Sequence, residues 1–303
     1  MKEVEVSIIL VNYNTKLLTL ECIDSIYSHV NDVSFEVIVV DNASTDGSKD
    51  VLGKDSRIIY IYNDSNLGFG RANNVGALKA NGDYLFFLNT DTLMTDDVIH
   101  GMWRYMKQNP SVGVCGVNLV DEEMNPTVSF ERLYPSCGYL LNEITARIPA
   151  RFMYGRNAYY NHTKHPLKVA YVSGADLMIR RDVFERVGGF DKGFFMYFEE
   201  TDLCFQVKSL GFFVISLPDY QIIHFGGRSF SNTNAALPSF EKLKIQHESA
   251  KYYINKNLSK FNIKIYNVLY SLLINLRRAV YSISGSKDVL EMWNNVKQIV
   301  DEK

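Results

Sequence analysis

Between Val6 and Asn89 four short apolar runs recur at the spacing of strands separated by helices. This alternation constrains the fold more than any other feature of the chain. The runs are VSIILV (Val6–Val11), EVIVVD (Glu36–Asp41), RIIYIY (Arg57–Tyr62) and DYLFFLN (Asp83–Asn89). Each is β-branched or aromatic, unbroken by polar residues in its middle, and of strand length. LLTLECIDSIYS between the first two carries apolar residues at Leu17, Leu20, Ile23, Ile26 and Tyr27, a helical spacing. NASTDGS after Asp41 is turn and N-cap chemistry, and GRANNVGALKA reads as a helix with an exit at Asn81–Gly82. Strands alternating with helices in this way predict an α/β fold with a mostly parallel sheet and helices on both faces. Ligands of such sheets bind beyond the carboxyl ends of the strands. Three polar stretches stand there and should converge: Asn12-Tyr13-Asn14, Asp41-Asn42 and Asn89-Thr90-Asp91.

The remainder is less regular. Residues 118–168 are rich in Tyr, Pro and Arg and read as loop and hairpin. YVSGADLMIRRDVFERVGGFDKGFFMYFEETDLCFQVKSLGF then gives a strand, a short helix, a glycine turn and a second helix, and the tail after Ser239 is helical. We therefore expect a domain over 1–239 and a C-terminal helical extension over 240–303. With 303 residues and 47% hydrophobic content there is ample material for that core. A net charge of -2 gives no whole-chain attraction to nucleic acid, so any phosphate must be held locally. The four cysteines are scattered without zinc or disulfide spacing, which suits reduced thiols in the cytoplasm. The N-terminus carries acids and lacks a signal-peptide pattern, and no stretch reaches the apolar length of a membrane span.

Asp41, directly after a strand, can accept hydrogen bonds from a nucleobase or ribose, or can cap the turn that follows. Asn89 and Asp91 share one face of a strand end and can present two oxygens to Mg²⁺ or Mn²⁺, or Asp91 can cap a helix beginning near Thr95. The Asn-Thr-Asp-Thr order is close to that of aspartyl-phosphate phosphatases, but a carboxamide at Asn89 cannot be their nucleophile. GFGRAN, from Gly68, lacks the third glycine of a dinucleotide fingerprint and follows the third strand, not the first. Glu199, Glu200 and Asp202 open a helix beside GFFMYF, where aromatic neighbours would raise a carboxylate toward a useful general base. His224, before a Gly-rich stretch, is a candidate third metal-side residue, and Arg228 in that stretch can grip a diphosphate. The tail interleaves aromatic residues with Lys and Arg, which fits either subunit packing or docking on a membrane surface.

Taken together, VSIILVNYNT, VIVVDNASTDGS, NLGFGRANNVGALKA, GDYLFFLNTDT, VSGADLMIRRDVFERVGGFD, FFMYFEETDLCFQVKSLGF and HFGGRSF resemble the inverting family 2 glycosyltransferases of GT-A fold, especially their bacterial rhamnosyltransferase-like branch. The motifs follow family order from Val6 to about Phe230. The resemblance implies that Val11, Asn12, Tyr13, Asn14 and Asp41 hold the nucleotide, helped by Gly68, Arg71 and Asn74. It implies that Asn89 and Asp91 occupy the D-x-D position, with Asp91 on a divalent metal and His224 beside it. Gly174, Ala175 and Asp176 match the wall near sugar and acceptor, with Asp202 on the acceptor side, and the catalytic base falls on Glu200, with Glu199 orienting the acceptor. Asn89 and Glu200 each stand where the family pattern has Asp. The implied reaction moves a sugar from a UDP- or dTDP-sugar to a glycan or lipid-linked acceptor in surface polysaccharide synthesis, at the inner face of the membrane or as a homodimer. A silent nucleotide-sugar binding protein and an NAD-dependent oxidoreductase are the alternatives.

Overall fold

The computed structural model describes residues 4–226 and 237–302 of the chain. The first part runs β1 (Val6–Asn12), α1 (Lys16–His29), β2 (Phe35–Asp41), α2 (Ser48–Leu52), β3 (Ile58–Tyr62), α3 (Phe69–Ala77), β4 (Tyr84–Leu88), β5 (Thr92–Met94), α4 (Val98–Gln108) and β6 (Val112–Val120). There follow β7 (Phe130–Glu131), α5 (Cys137–Ile144), α6 (Ile148–Tyr154), β8 (Leu167–Lys168), β9 (Tyr171–Val172), β10 (Asp176–Arg180), α7 (Arg181–Val187), α8 (Glu199–Ser209) and β11 (Phe213–His224). Three helices close the chain: α9 (Phe240–Asn257), α10 (Lys260–Ser284) and α11 (Lys287–Asp301).

The main sheet orders its strands β3-β2-β1-β4-β10-β6-β11-β5, with β8 also paired to β11. β1 to β4 run parallel, β6 and β11 run parallel, and β10 lies antiparallel between β4 and β6. Strands covered on both faces need apolar residues at every position, which is why β1, β2 and β4 read as unbroken apolar runs. Odd and even residues of β1 show the two faces. Ile8 and Leu10 join Phe86, Ile23, Ile26, Ile99 and Met102 under α1 and α4. Ile9 joins Val40, Phe87, Ala72, Val183 and Leu203 under α3, α7 and α8. Gly76 lets α3 lie on this second face, because a Cβ there would stand 2.6 Å from Ile9 Cγ2.

Two expectations are corrected. The helix expected near Thr95 begins three residues later, at Val98, with Asp97 before it. Residues 92–94 form β5, antiparallel to the end of β11. Asp91 therefore caps no helix. The 118–168 stretch is not only loop and hairpin, since it contains α5 and α6. Ser136 caps α5 by accepting from the Tyr139 amide, and a proline stands in the first turn of α6.

The closing helices pack on the segment that leads into α8. Phe194, Leu140, Tyr253, Ile254, Tyr266 and Leu273 form one buried cluster, and Leu243, Ile274, Val296 and Ile299 form another. An ionic clamp accompanies them: Lys256 Nζ on α9 lies 2.7 Å from Asp202 Oδ2 on α8 and 2.5 Å from Asp191 Oδ2. Asp202 is buried, and Asn257 Nδ2 donates to its other oxygen at 2.9 Å. Lys256→Met would leave that carboxylate short of a charged donor, at an expected cost of about 1–3 kcal/mol, the scale of a hydrogen bond to a charged group. Hydrogen exchange should then accelerate in α9 while β1 and β4 stay protected, and unchanged exchange in α9 would show that the clamp holds nothing.

Candidate active site

β1, β2 and β4 end at one edge, and the polar residues there are tied to one another. Asn12 Nδ2 donates to Asp41 Oδ2 at 3.1 Å and to Ser44 Oγ at 3.0 Å, while its Oδ1 accepts from Thr15 and Thr19 hydroxyls at 2.9 and 3.0 Å. Asp41 Oδ1 accepts from the Ser44 amide at 2.8 Å, and Oδ2 accepts from the Tyr60 hydroxyl at 2.8 Å. Both side chains are fully buried. Of the two roles considered for Asp41, the structure displays the turn-capping one. Asn14, with left-handed backbone at φ 56°, accepts from the Thr45 amide at 2.7 Å. These bonds present Val11 and the half-exposed ring of Tyr13 to a cavity of about 450 Å³.

Asn89, Thr90, Asp91 and His224 line that cavity. The backbone brings them together: His224 pairs with Thr92 across β11 and β5, and the Phe225 amide donates to the Asp91 carbonyl at 3.0 Å. His224 Nε2 lies 3.4 Å from Asp91 Oδ1 and 3.4 Å from Asn89 Nδ2. One carboxylate and one imidazole facing open space suit a divalent cation that takes few protein ligands and completes its shell with water and phosphate oxygens. A second group with ligand-like spacing, Asp32, Asp97 and His100, lines no part of this cavity, and nothing connects it with the reaction chemistry.

Glu199 and Glu200, at the first turn of α8, line the same cavity. Tyr197 and Phe198, immediately before them, both adopt left-handed backbone at φ 68° and 70°. Such conformations cost energy for non-glycine residues and persist where the surrounding structure enforces them, often at functional sites. Glu199 packs against Gly70 of α3, Glu200 against Gly174. Burial lifts the Glu199 carboxyl well above the usual range, and the neighbouring Glu200 charge lifts it further. Burial also raises Glu200, but its Oε1 accepts from the Thr201 hydroxyl at 3.1 Å, a contact that favours the ionised form. Glu199 Oε2 makes no hydrogen bond. Of the two, Glu199 is held more strongly toward its neutral form. Burial beside Glu199 also pushes the Tyr197 phenol up to about 12.

Gly68, Gly174 and Ala175 complete the cavity. Gly68 has φ +82°, and a Cβ there would collide with the Phe195 carbonyl, so only glycine lets α3 meet the α8 approach. Four expected site residues lie elsewhere. Arg71 Nε donates to the Lys192 carbonyl, and Asn74 exchanges two hydrogen bonds with the Phe190 backbone. Asp176 turns toward β6, where it accepts from the Val117 amide at 2.6 Å, and burial raises its carboxyl far above the usual range. Asp202 is taken up by Lys256 and Asn257 on the α9 side of α8. Arg228 lies outside the described residues. The sequence reading missed Tyr197, Asn66 and Lys242. Asn66 accepts from Asn42 at 2.8 Å and so shapes the loop before Gly68. Lys242, from the first turn of α9, is the one lysine or arginine lining the cavity among the described residues.

Residues 7–188 match the model of Glycosyl transferase family 2. The dTDP-rhamnosyl transferase RfbF of Shigella flexneri is 22% identical over 271 residues, which cover 88% of this chain and 85% of that protein. The rhamnosyltransferase WbbL of Escherichia coli K12 is 26% identical over 219 residues, 67% of this chain and 78% of that one. Among solved structures, a mannosyltransferase from Pyrobaculum calidifontis in complex with GDP-Man and Mn²⁺ superposes with a TM-score of 0.60 at 15% identity, covering 98% of this chain and 86% of its own. At that identity the likeness is one of fold, and the fold is GT-A.

The glutamate pair has a measurable signature. Because Glu199 holds its proton above the ordinary value of 4.5, the folded chain binds more protons than the unfolded chain. Its contribution is complete below that value and is lost as pH rises toward the folded one. As pH rises above 4.5 the melting temperature of Glu199→Gln should thus fall less steeply than that of the parent. Parallel curves would place the proton elsewhere.

Proposed function

The chain belongs to glycosyltransferase family 2, and from that premise we propose how its own residues carry the reaction. It is a nucleotide-sugar glycosyltransferase of polysaccharide biosynthesis. The observation that carries the reading is that Asp91, His224, Glu199 and Glu200 all line one cavity. The first pair suits a diphosphate and the second a proton.

Glu200 acts as general base. It takes the proton of the acceptor hydroxyl as that oxygen bonds to the anomeric carbon, while the carbon–oxygen bond to the diphosphate breaks and the electron pair leaves with the phosphate. Attack from the face opposite the leaving group inverts the anomeric centre. Glu199, kept neutral by burial, can donate a hydrogen bond to the acceptor without competing for its proton. A bound Mg²⁺ or Mn²⁺, held by Asp91 and His224 with Asn89 beside them, would offset the charge gathering on the diphosphate. Lys242, whose Nζ lies 6.0 Å from the centre of the Tyr197 ring, adds a cation to the same cavity. Tyr13 and Val11 offer an apolar face to the nucleobase, and Asp41 acts through the turn it caps. Two rhamnosyltransferases among the relatives favour a dTDP-linked deoxyhexose as donor.

A general base contributes about 10²–10⁴-fold, so Glu200→Gln should lower kcat on that scale and leave donor Kd unmoved. Asp91→Asn should instead abolish the Mn²⁺ dependence of nucleotide-diphosphate binding in calorimetry. If Glu199→Gln is the dead variant and Glu200→Gln turns over, the roles are reversed.

Lipid-linked acceptors would bring the enzyme to a membrane face. No helix among the described residues is long and apolar enough to cross a membrane. α10 nevertheless exposes Phe261, Val268, Leu272 and Ile283 along one side, with Lys260 and Lys264 near its start. Such a face suits shallow docking on anionic lipid. The chain should float with phosphatidylglycerol vesicles, and Phe261→Glu with Val268→Glu should stop it. A parent that stays at the bottom of the gradient and sediments as a dimer lost in that variant would make α10 a subunit interface.

A further inference from the structure

The closing helices do not fill the space they enclose. Between α5, the start of α8 and α9 to α11 lies an open chamber of about 730 Å³, larger than the cavity at the strand ends. Well-packed interiors leave few voids, and a few larger side chains would close this one. Its position is the informative feature. Glu200 and Tyr197 line both spaces, so the pair forms a partition with the nucleotide-side cavity on one face and the helical chamber on the other.

We propose that the helical chamber is the acceptor site, that its occupant is a saccharide, and that the attacking hydroxyl reaches Glu200 from this side. The inference rests on the glycosyltransferase reading and deepens it. An inverting displacement needs its nucleophile and its leaving group on opposite faces of the anomeric carbon. Two chambers that share Glu200 and Tyr197 satisfy this without either ligand crossing the other. The chemistry of the walls identifies the occupant. Tyr139, Tyr266, Tyr270 and Trp293 offer aromatic faces, whose negative quadrupole attracts the polarised C–H face of a sugar ring. Gln246 and Asn267 add amides, each able to donate to one hydroxyl and accept from another. A bare polyprenyl chain would leave these amides unanswered. The volume falls within the range of small-molecule sites and exceeds what one sugar ring needs, so an acceptor of two or more sugars fits.

The chain holds its own reporter. Its two tryptophans are Trp103 on α4 and Trp293 in the chamber, so Trp103→Phe leaves a single fluorophore at the proposed site. The probes are methyl glycosides of rhamnose, galactose, glucose and N-acetylglucosamine, with N,N′-diacetylchitobiose and lactose, added to protein saturated with UDP or dTDP and Mn²⁺. At least one should change Trp293 emission saturably, and Ala250→Phe, which narrows the chamber without adding a second tryptophan, should raise its Kd at least tenfold. Gln246→Leu, a milder change, should weaken the same sugar severalfold. Nucleotide binding, followed by calorimetry in every variant, reports both folding and the donor site. Absence of any saturable change across the panel overturns the proposal, as does a change that survives Ala250→Phe with its Kd unmoved. Loss of nucleotide binding in the parent would instead fail the donor reading on which the proposal rests.

Discussion

The parallel pairing of β1 with β2 on one side and β4 on the other places Asn12 opposite Asp41 and brings Asn89 to the same edge, and the rest of the site is assembled on that edge. Backbone register fixes which residues stop together. Side-chain bonds then lock the stop: Asn12, Asp41, Ser44 and Thr15 saturate one another, and the Thr15 hydroxyl lies 3.1 Å from that of Thr90 on the β4 side. Buried polar groups left without partners would be costly here, so a closed network is what permits polar residues beneath a ligand site at all. Asp41 matters for this reason even though it does not line the cavity. A slip of one residue in β1 would turn Asn12 to the other face and dissolve the network.

That edge was legible in the sequence because unbroken apolar runs end abruptly in Asn and Asp. The metal corner was legible for the same reason on the β4 side. His224 was harder, because its proximity to Asp91 depends on β5, a three-residue strand that the sequence reading took for the approach to a helix. Arg71, Asn74 and Asp202 show where motif position misleads. Each sits in a stretch that resembles the family, but a stretch does not say which side of a helix faces the cavity. In Asp202 the side chain points toward α9, where Lys256 waits. That partner lies far along the chain, in a tail whose packing no local pattern reveals. α5 and α6 were hidden similarly, since they are short helices in a Tyr-, Pro- and Arg-rich stretch that local periodicity cannot define.

The electrostatics of α8 follow from how the helix begins. Acids at a helix N-terminus are ordinarily favoured by the exposed amides and their dipole. Glu199 and Glu200 gain that support, but they are also buried against Gly70 and Gly174, and two adjacent carboxylates resist double ionisation. The outcome is an asymmetric pair, with Glu199 raised further than Glu200 and only Glu200 given a hydroxyl partner. The left-handed turn at Tyr197 and Phe198 sets this asymmetry, because it decides which of two successive glutamates looks toward Gly174. A relaxed approach to the helix would rotate the pair and exchange their surroundings.

The tail is coupled to this arrangement and does more than append to it. Phe194 and Phe198, from the segment that launches α8, are packed by Tyr253 and its neighbours, while Lys256 grips both Asp191 before the turn and Asp202 within the helix. The same α9 contributes Lys242 to the nucleotide-side cavity and Gln246 to the helical chamber. One helix thus holds the strained turn, supplies a cation on one side of the partition and an amide on the other. A tail free to leave would release the turn and open both spaces together. The surroundings of Glu200 therefore depend on packing contributed by residues more than forty positions further along the chain, which is why its own stretch of sequence does not describe the site.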